Sequence, residues 1–205
     1  ATLLTSQEPK DKIDQKLTIV HDGIAPEALR ISKRQWQHQD QVRIGLIGRL
    51  SPWKGQHIFL KAAAQVHQLF PDAMFEIIGS SLFGETEYEE ELFKLTEELN
   101  LGKSVQFLGF RNNVLDVIED LDIVVHASTT AEPFGQVVIE GMASQKPVIA
   151  TKGGGVLEII EDHQSGLLVA MNDADAMAAA IIELLNNPER ARQIGLNGQR
   201  RVQEH

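Results

Sequence analysis

The 205-residue chain has no cysteine, which excludes disulfides, thiolate metal sites and a cysteine nucleophile, and fits a reducing compartment. No apolar run approaches the roughly 20 residues that a membrane-spanning helix needs, and the first residues lack the pattern of a signal peptide. Positive charge is scarce: 19 Lys and Arg against 29 Asp and Glu leave a formal net charge of −10. That argues against broad nucleic-acid binding, which relies on a basic face. It leaves room for a small anionic ligand, whose pocket needs only one or two local cations. Several catalytic signatures are missing too. There is no GxxxxGK followed by Ser or Thr, no GxGxxG, no GxSxG, and no His/Asp/Glu group with metal-ligand spacing. With 42% hydrophobic and 23% charged residues, the chain is expected to be a soluble, cytoplasmic, acidic globular protein with a substantial core.

Two zones differ in pattern. Residues 1–41 are polar and aperiodic apart from LTIV. They read as a linker or entry segment, with a short strand at about Leu17 to Val20 and a turn at Asp22-Gly23. From residue 42 to 205 the pattern is regular. The apolar runs VRIGLIG, MFEIIG, VQFLG, DIVVHAS, PVIA and GLLVA read as buried strands. Helical patterns separate them: HIFLKAAAQVHQLF before Pro71, TEYEEELFKLTEELN, NVLDVIED, about Phe134 to Ser144, and VLEII. Two more close the chain, near ADAMAAAIIELLNN and PERARQIGLNGQRRVQEH. Strands that are continuously apolar and alternate with helices imply a parallel sheet covered on both faces. The fold class is therefore α/β, a doubly wound, Rossmann-like parallel sheet. Such folds bind ligands at the carboxyl ends of the strands.

The loops that follow the strands carry the candidate chemistry. GRLSPWKG contains Gly48, which allows close backbone approach, and two cations, Arg49 and Lys54. One forked donor and one point charge suit a pyrophosphate; the same residues also fit a plain strand-to-helix turn with two solvated cations. TKGGG places three glycines at 153–155, either a backbone surface for a ligand or a flexible connection. In AEPFGQVVIEG, Pro133 stiffens the entry and Gly135 permits a tight turn into a helix whose first amides, around Gly135 to Val137, suit an anion. Glu132 stands just before that helix and Glu140 inside it. The two are either surface acids or acceptors for different parts of one extended ligand, such as a nucleotide-sugar. His126 and His163 read as structural.

Taken in order, GRLSPWKG, FLGF, AEPFGQVVIEGMA, KPVIA, TKGGGVLEII and SGLLV resemble the group-1 family of retaining glycosyltransferases of the GT-B fold. The likeness runs from about Leu17 to Asn187 and covers the C-terminal, nucleotide-sugar-binding half of such an enzyme. HDGI resembles the family's Asn-Gly-Ile segment, with Asp22 in place of Asn. The resemblance implies that Arg49 and Lys54 hold the donor pyrophosphate, that Glu132 binds hydroxyls of the transferred sugar, and that Glu140 binds the ribose diol. It implies amide contacts around Phe134, Gly135, Gln136 and Val137, backbone at Phe110 and Arg111 against the base, and Gly48 among the donor-binding positions. It further implies no metal and no cofactor, an NDP-sugar being the donor substrate. The acceptor, a glycan, glycolipid or other glycoconjugate, would be bound by an N-terminal domain outside this chain, through which peripheral membrane association could also arise. The isolated chain would then bind donor weakly and transfer almost nothing. Gln145 departs from the family, which usually has glycine in a left-handed position there; a side chain costs about 1 kcal/mol in that conformation. A non-catalytic nucleotide-binding module and a sugar-nucleotide epimerase of the same fold are the alternatives.

Overall fold

The computed structural model describes residues 29–30, 41–81 and 86–204. Six strands, β1 (Arg43–Ile47), β2 (Met74–Ile78), β3 (Val105–Gly109), β4 (Ile123–His126), β5 (Val148–Thr151) and β6 (Leu167–Val169), form one sheet. Their order is β3-β2-β1-β4-β5-β6, and every pairing is parallel. The connections are α1 (Gln56–Leu69), α2 (Thr86–Glu98), α3 (Val114–Asp120), α4 (Gln136–Ala143) and α5 (Val156–Ile159), followed by α6 (Ala174–Asn186) and α7 (Pro188–Glu204). This is the expected doubly wound α/β fold. Its strand order reverses between β1 and β4, the switch point at whose carboxyl edge such folds bind ligands.

At the centre of the sheet both faces are buried, because alternate residues of β4 and β5 enter different cores. Ile123 and Val125 of β4 and Ile149 of β5 join one core with residues of α1 and α6, such as Phe59 and Ile181. Val124, Val148 and Ala150 join the other with Val138 and Met142 of α4. A strand facing water on one side would need polar alternation, and these strands have none. β1 carries glycine on the second face for a steric reason: a Cβ at Gly45 would lie 2.3 Å from a methyl carbon of Leu121.

Two local departures have physical causes. The helix read from about Phe134 starts at Gln136, because Gly135 holds φ at +95°, in the left-handed region that a right-handed helix excludes. Gln145 does adopt the left-handed conformation, at φ +58°. It is held there by its side-chain amide, which donates to Gln199 Oε1 at 2.8 Å, and by α7, which passes so close that a Cβ at Gly195 would lie 2.2 Å from the Gln145 carbonyl oxygen.

The strand and turn expected near residues 17–23 lie outside the described residues. Arg30, within the segment read as a linker, is docked on this domain. Its amide donates to the Ala143 carbonyl at 3.1 Å, and its guanidinium pairs with Asp116 and Glu119 at 2.6 and 2.8 Å. No helix among the described residues is long and apolar enough to cross a membrane.

Candidate functional site

Three loops leave the carboxyl edge of the sheet beside the switch point: residues 48–55 after β1, 127–135 after β4 and 152–155 after β5. The first ends in a 3-10 turn at Pro52–Lys54 and in Gly55, at φ +73°. A Cβ on Gly55 would sit 2.0 Å from the Ala127 carbonyl oxygen, so only glycine lets this loop rest against the loop after β4. The Thr129 amide then donates to the Trp53 carbonyl at 2.8 Å and ties the two together.

The glycines of TKGGG have a similar use. A Cβ on Gly154 would lie 1.9 Å from the Glu132 carbonyl oxygen, and one on Gly155 would lie 2.8 Å from that of Pro133. The Gly155 amide donates to the Glu132 carbonyl at 3.0 Å. The run reads from sequence as a backbone surface for a ligand or as a flexible connection; in the structure its backbone packs instead against the neighbouring loop, whose Glu132 is thereby fixed.

The Glu132 side chain is buried, and three groups converge on one of its oxygens. Oε2 accepts from Lys54 Nζ at 2.8 Å and from Ser128 Oγ at 3.0 Å, and lies 3.4 Å from His126 Nε2. Burial alone would raise this carboxyl's pKa. The His126 contact first, then Lys54 and Ser128, outweigh burial and hold it down to about 2. Lys54 is thus neither a solvated cation nor remote from Glu132: its ammonium also lies 4.1 Å above the Trp53 ring, a second favourable contact.

Glu140 has the opposite environment. It is half-buried on α4, accepts from Gln136 Nε2 at 3.1 Å, and burial pushes its carboxyl up from the ordinary value. At the head of α4 the amides of Val138 and Ile139 both reach the Gly135 carbonyl, at 2.9 and 3.3 Å. Gln136 and Val137 precede them in the first turn, where helix amides have no intrahelical acceptor.

Arg49 is exposed on the first loop, and its carbonyl accepts from Gln56 Nε2 at 2.8 Å. The Gly48 amide donates to Ile78 at 2.9 Å, so that donor belongs to the sheet edge; its α-carbon faces Lys54, where a Cβ would lie 3.7 Å from the Lys54 chain. The rim continues outward, with the Gly79 amide donating to Gly109 at 3.0 Å. It reaches Phe110, which is 70% exposed, and the exposed Arg111.

The structure therefore brings Lys54 and Glu132 into direct contact and seats Gly48, Arg49 and the start of α4 on the adjoining loops. Phe110 and Arg111 lie two strands away, and no hydrogen bond or ion pair joins them to the Lys54–Glu132 pair among the described residues. His126, read as structural from sequence, contacts the site. The signal was available: a polar residue ends an otherwise apolar strand at its carboxyl edge, six positions before Glu132. Among the described residues, no group of three or more His, Asp or Glu could hold a metal ion.

The family model for glycosyl transferases group 1 matches residues 30–201. The chain belongs to that family. It is 34% identical over 150 residues to a D-inositol 3-phosphate glycosyltransferase of Corynebacterium urealyticum, covering 71% of this chain and 35% of that protein. It is 30% identical over 174 residues to the putative glycosyltransferase EpsD of Bacillus subtilis, covering 85% and 44%. Among solved structures, Anabaena Alr3699/HepE in complex with UDP and glucose superposes with a TM-score of 0.84 at 32% identity, over 91% of this chain and 52% of that one. The C-terminal domain of the group 1 family protein LpcC from Francisella tularensis superposes at 0.80 and 29% identity, over 89% and 97%. This group 1 chain thus spans between about a third and about a half of the full-length relatives above, and nearly all of an isolated C-terminal domain.

Proposed function

We propose that this chain is the donor-binding domain of a retaining glycosyltransferase, which transfers a sugar from a nucleoside diphosphate sugar to an acceptor. The observation that carries the reading is the Lys54–Glu132 pair at the carboxyl edge of β1 and β4. A cation suited to phosphate and an acid suited to sugar hydroxyls meet there, beside the head of α4. Arg49 and Lys54 bind the pyrophosphate and offset charge on the departing nucleoside diphosphate. Amides at Phe134 to Val137 assist, Glu140 accepts from the ribose diol, and Gly48, Phe110 and Arg111 line the cleft toward the base. Glu132, with three partners on Oε2 and a carboxyl held down to about 2, is a poor proton acceptor and a good fixed anion, which suits hydroxyl binding better than general-base work. No metal or cofactor is needed when cations occupy these positions.

The UDP and glucose bound in the HepE structure support uridine diphosphate as the first nucleotide to test. The acceptor, a glycan, glycolipid or other glycoconjugate, is bound by an N-terminal domain, and the present chain alone transfers almost no sugar. A thermal-shift panel of UDP, GDP and ADP with their common sugars tests the reading, since a ligand that binds only the native state raises the melting temperature. One nucleotide series should shift the transition, and its sugar form should shift it differently from the bare diphosphate. No shift with any of them contradicts the proposal.

A further inference from the structure

We propose that His126 is a positioning residue that holds the Glu132 carboxylate through a proton on Nε2 and so leaves Glu132 Oε1 as the acceptor presented to a hydroxyl of the transferred sugar. This rests on the sugar-binding role proposed above for Glu132. His126 ends β4 and is 4% exposed, with Ser128 and Thr151 each at 1%. Polar groups buried to that degree need matched partners, so their few protons can be assigned one by one. Thr151 has a single hydroxyl proton, and it is committed to the Ser128 carbonyl at 2.8 Å. Its oxygen then faces His126 Nδ1 at 3.4 Å. Ser128 likewise has one hydroxyl proton, with two claimants at 3.0 Å: His126 Nε2 and Glu132 Oε2.

If His126 carried its only proton on Nδ1, the bare Nε2 would compete with Glu132 Oε2 for the Ser128 proton and turn a lone pair toward that carboxylate at 3.4 Å. The carboxylate would lose the His126 donor and share the claim on Ser128, with Lys54 as its one undivided partner among these three. With a proton on Nε2, that N–H is shared between Ser128 Oγ and Glu132 Oε2, and Ser128 donates to Glu132. Every donor then has an acceptor. Adding a second proton, on Nδ1, gives the Thr151 oxygen a donor as well and is compatible with the same arrangement. Among the described residues, the charged groups that reach this cluster are Glu132, from the loop after β4, and Lys54, from the loop after β1. Lys54, Ser128 and His126 all address Oε2, so Oε1 has no protein donor among the described residues.

The experiment begins with the chain itself, labelled with ¹⁵N, and long-range ¹H–¹⁵N correlation of its histidine rings. His126 should show a protonated Nε2, as the neutral Nε2–H form or the imidazolium; a neutral Nδ1–H ring overturns the proposal. Two variants then give the functional readout. A glutamine amide nitrogen falls near the position of Nε2 and an asparagine nitrogen near that of Nδ1. Calorimetric titration uses UDP, GDP and ADP and the corresponding nucleoside diphosphate glucoses. H126N should lose about tenfold in affinity for the sugar form, the scale of one charge-assisted hydrogen bond, with the bare diphosphate unchanged, while H126Q should retain the native difference. Equal loss in both variants, or loss in neither, overturns it. If none of these compounds binds the native chain, the proposed function fails, whereas the ring protonation still decides whether His126 holds Glu132.

Discussion

Replacing Glu132 by glutamine keeps the side chain's shape, removes its charge and leaves Lys54 facing a neutral amide. The folded carboxyl lies at about 2 against an ordinary 4.5, a difference equivalent to roughly 3 kcal/mol of preference for the ionised form. Lys54 keeps 21% of its side chain in solvent, which screens part of the pair, so about 2 kcal/mol is expected. The sign follows from the direction of the shift. The folded value lies below the unfolded one, so this stabilisation is complete above about 4.5 and is lost as pH falls from there through about 2. Urea unfolding of the native chain and E132Q at a series of pH values measures it. At neutral pH the variant should be less stable by about 2 kcal/mol, and the gap should close to under about 1 kcal/mol near the acid end of that window. A gap of constant size across the series would refute the reasoning, because it would mean that the carboxyl titrates alike in both states.

Three stability predictions need no ligand. G55A combines a left-handed φ of +73° with a Cβ 2.0 Å from the Ala127 carbonyl oxygen; it should lose at least about 2 kcal/mol in urea unfolding. G102A, where nothing lies within 4 Å of the new methyl, should change stability by under about 1 kcal/mol, and equal effects at the two sites would contradict the loop-packing account. At residue 145, Q145G should be more stable than Q145A by about 1 kcal/mol, since both lose the bond to Gln199 and only glycine relieves φ +58°; comparable midpoints would show that no strain is held there.

Most of the fold was legible because its strands are apolar runs that bury both faces, a pattern that does not depend on long-range detail. The alternation of Ile123, Val124 and Val125 between two cores explains why those runs show no period of two. The site was legible as a set of loops and residues, but the contacts among them were not. Lys54 and Glu132 are 78 positions apart, and their meeting depends on Gly55, whose backbone must clear Ala127, and on glycines 154 and 155, whose backbone must clear Glu132 and Pro133. Sequence shows that a glycine permits close approach without showing what approaches. His126 carried a signal, a polar end to an apolar strand, but its partners, Thr151 from β5 and Glu132 from the following loop, are set only by the fold. The start of α4 was misread by two residues because helical periodicity continues through Phe134, whereas the φ of Gly135 ends it.

The central claim is that the cations after β1 hold a diphosphate. It is tested most directly by calorimetric titration of the native chain, R49E and K54E, all confirmed folded by circular dichroism. The ligands are the nucleoside diphosphate that gives the largest thermal shift and its parent nucleoside. The native chain should bind the diphosphate at least about tenfold more tightly than the nucleoside, a difference of about 1.4 kcal/mol, and each charge reversal should erase that difference. A diphosphate bound equally well by all three proteins, or no better than its nucleoside, would contradict the account.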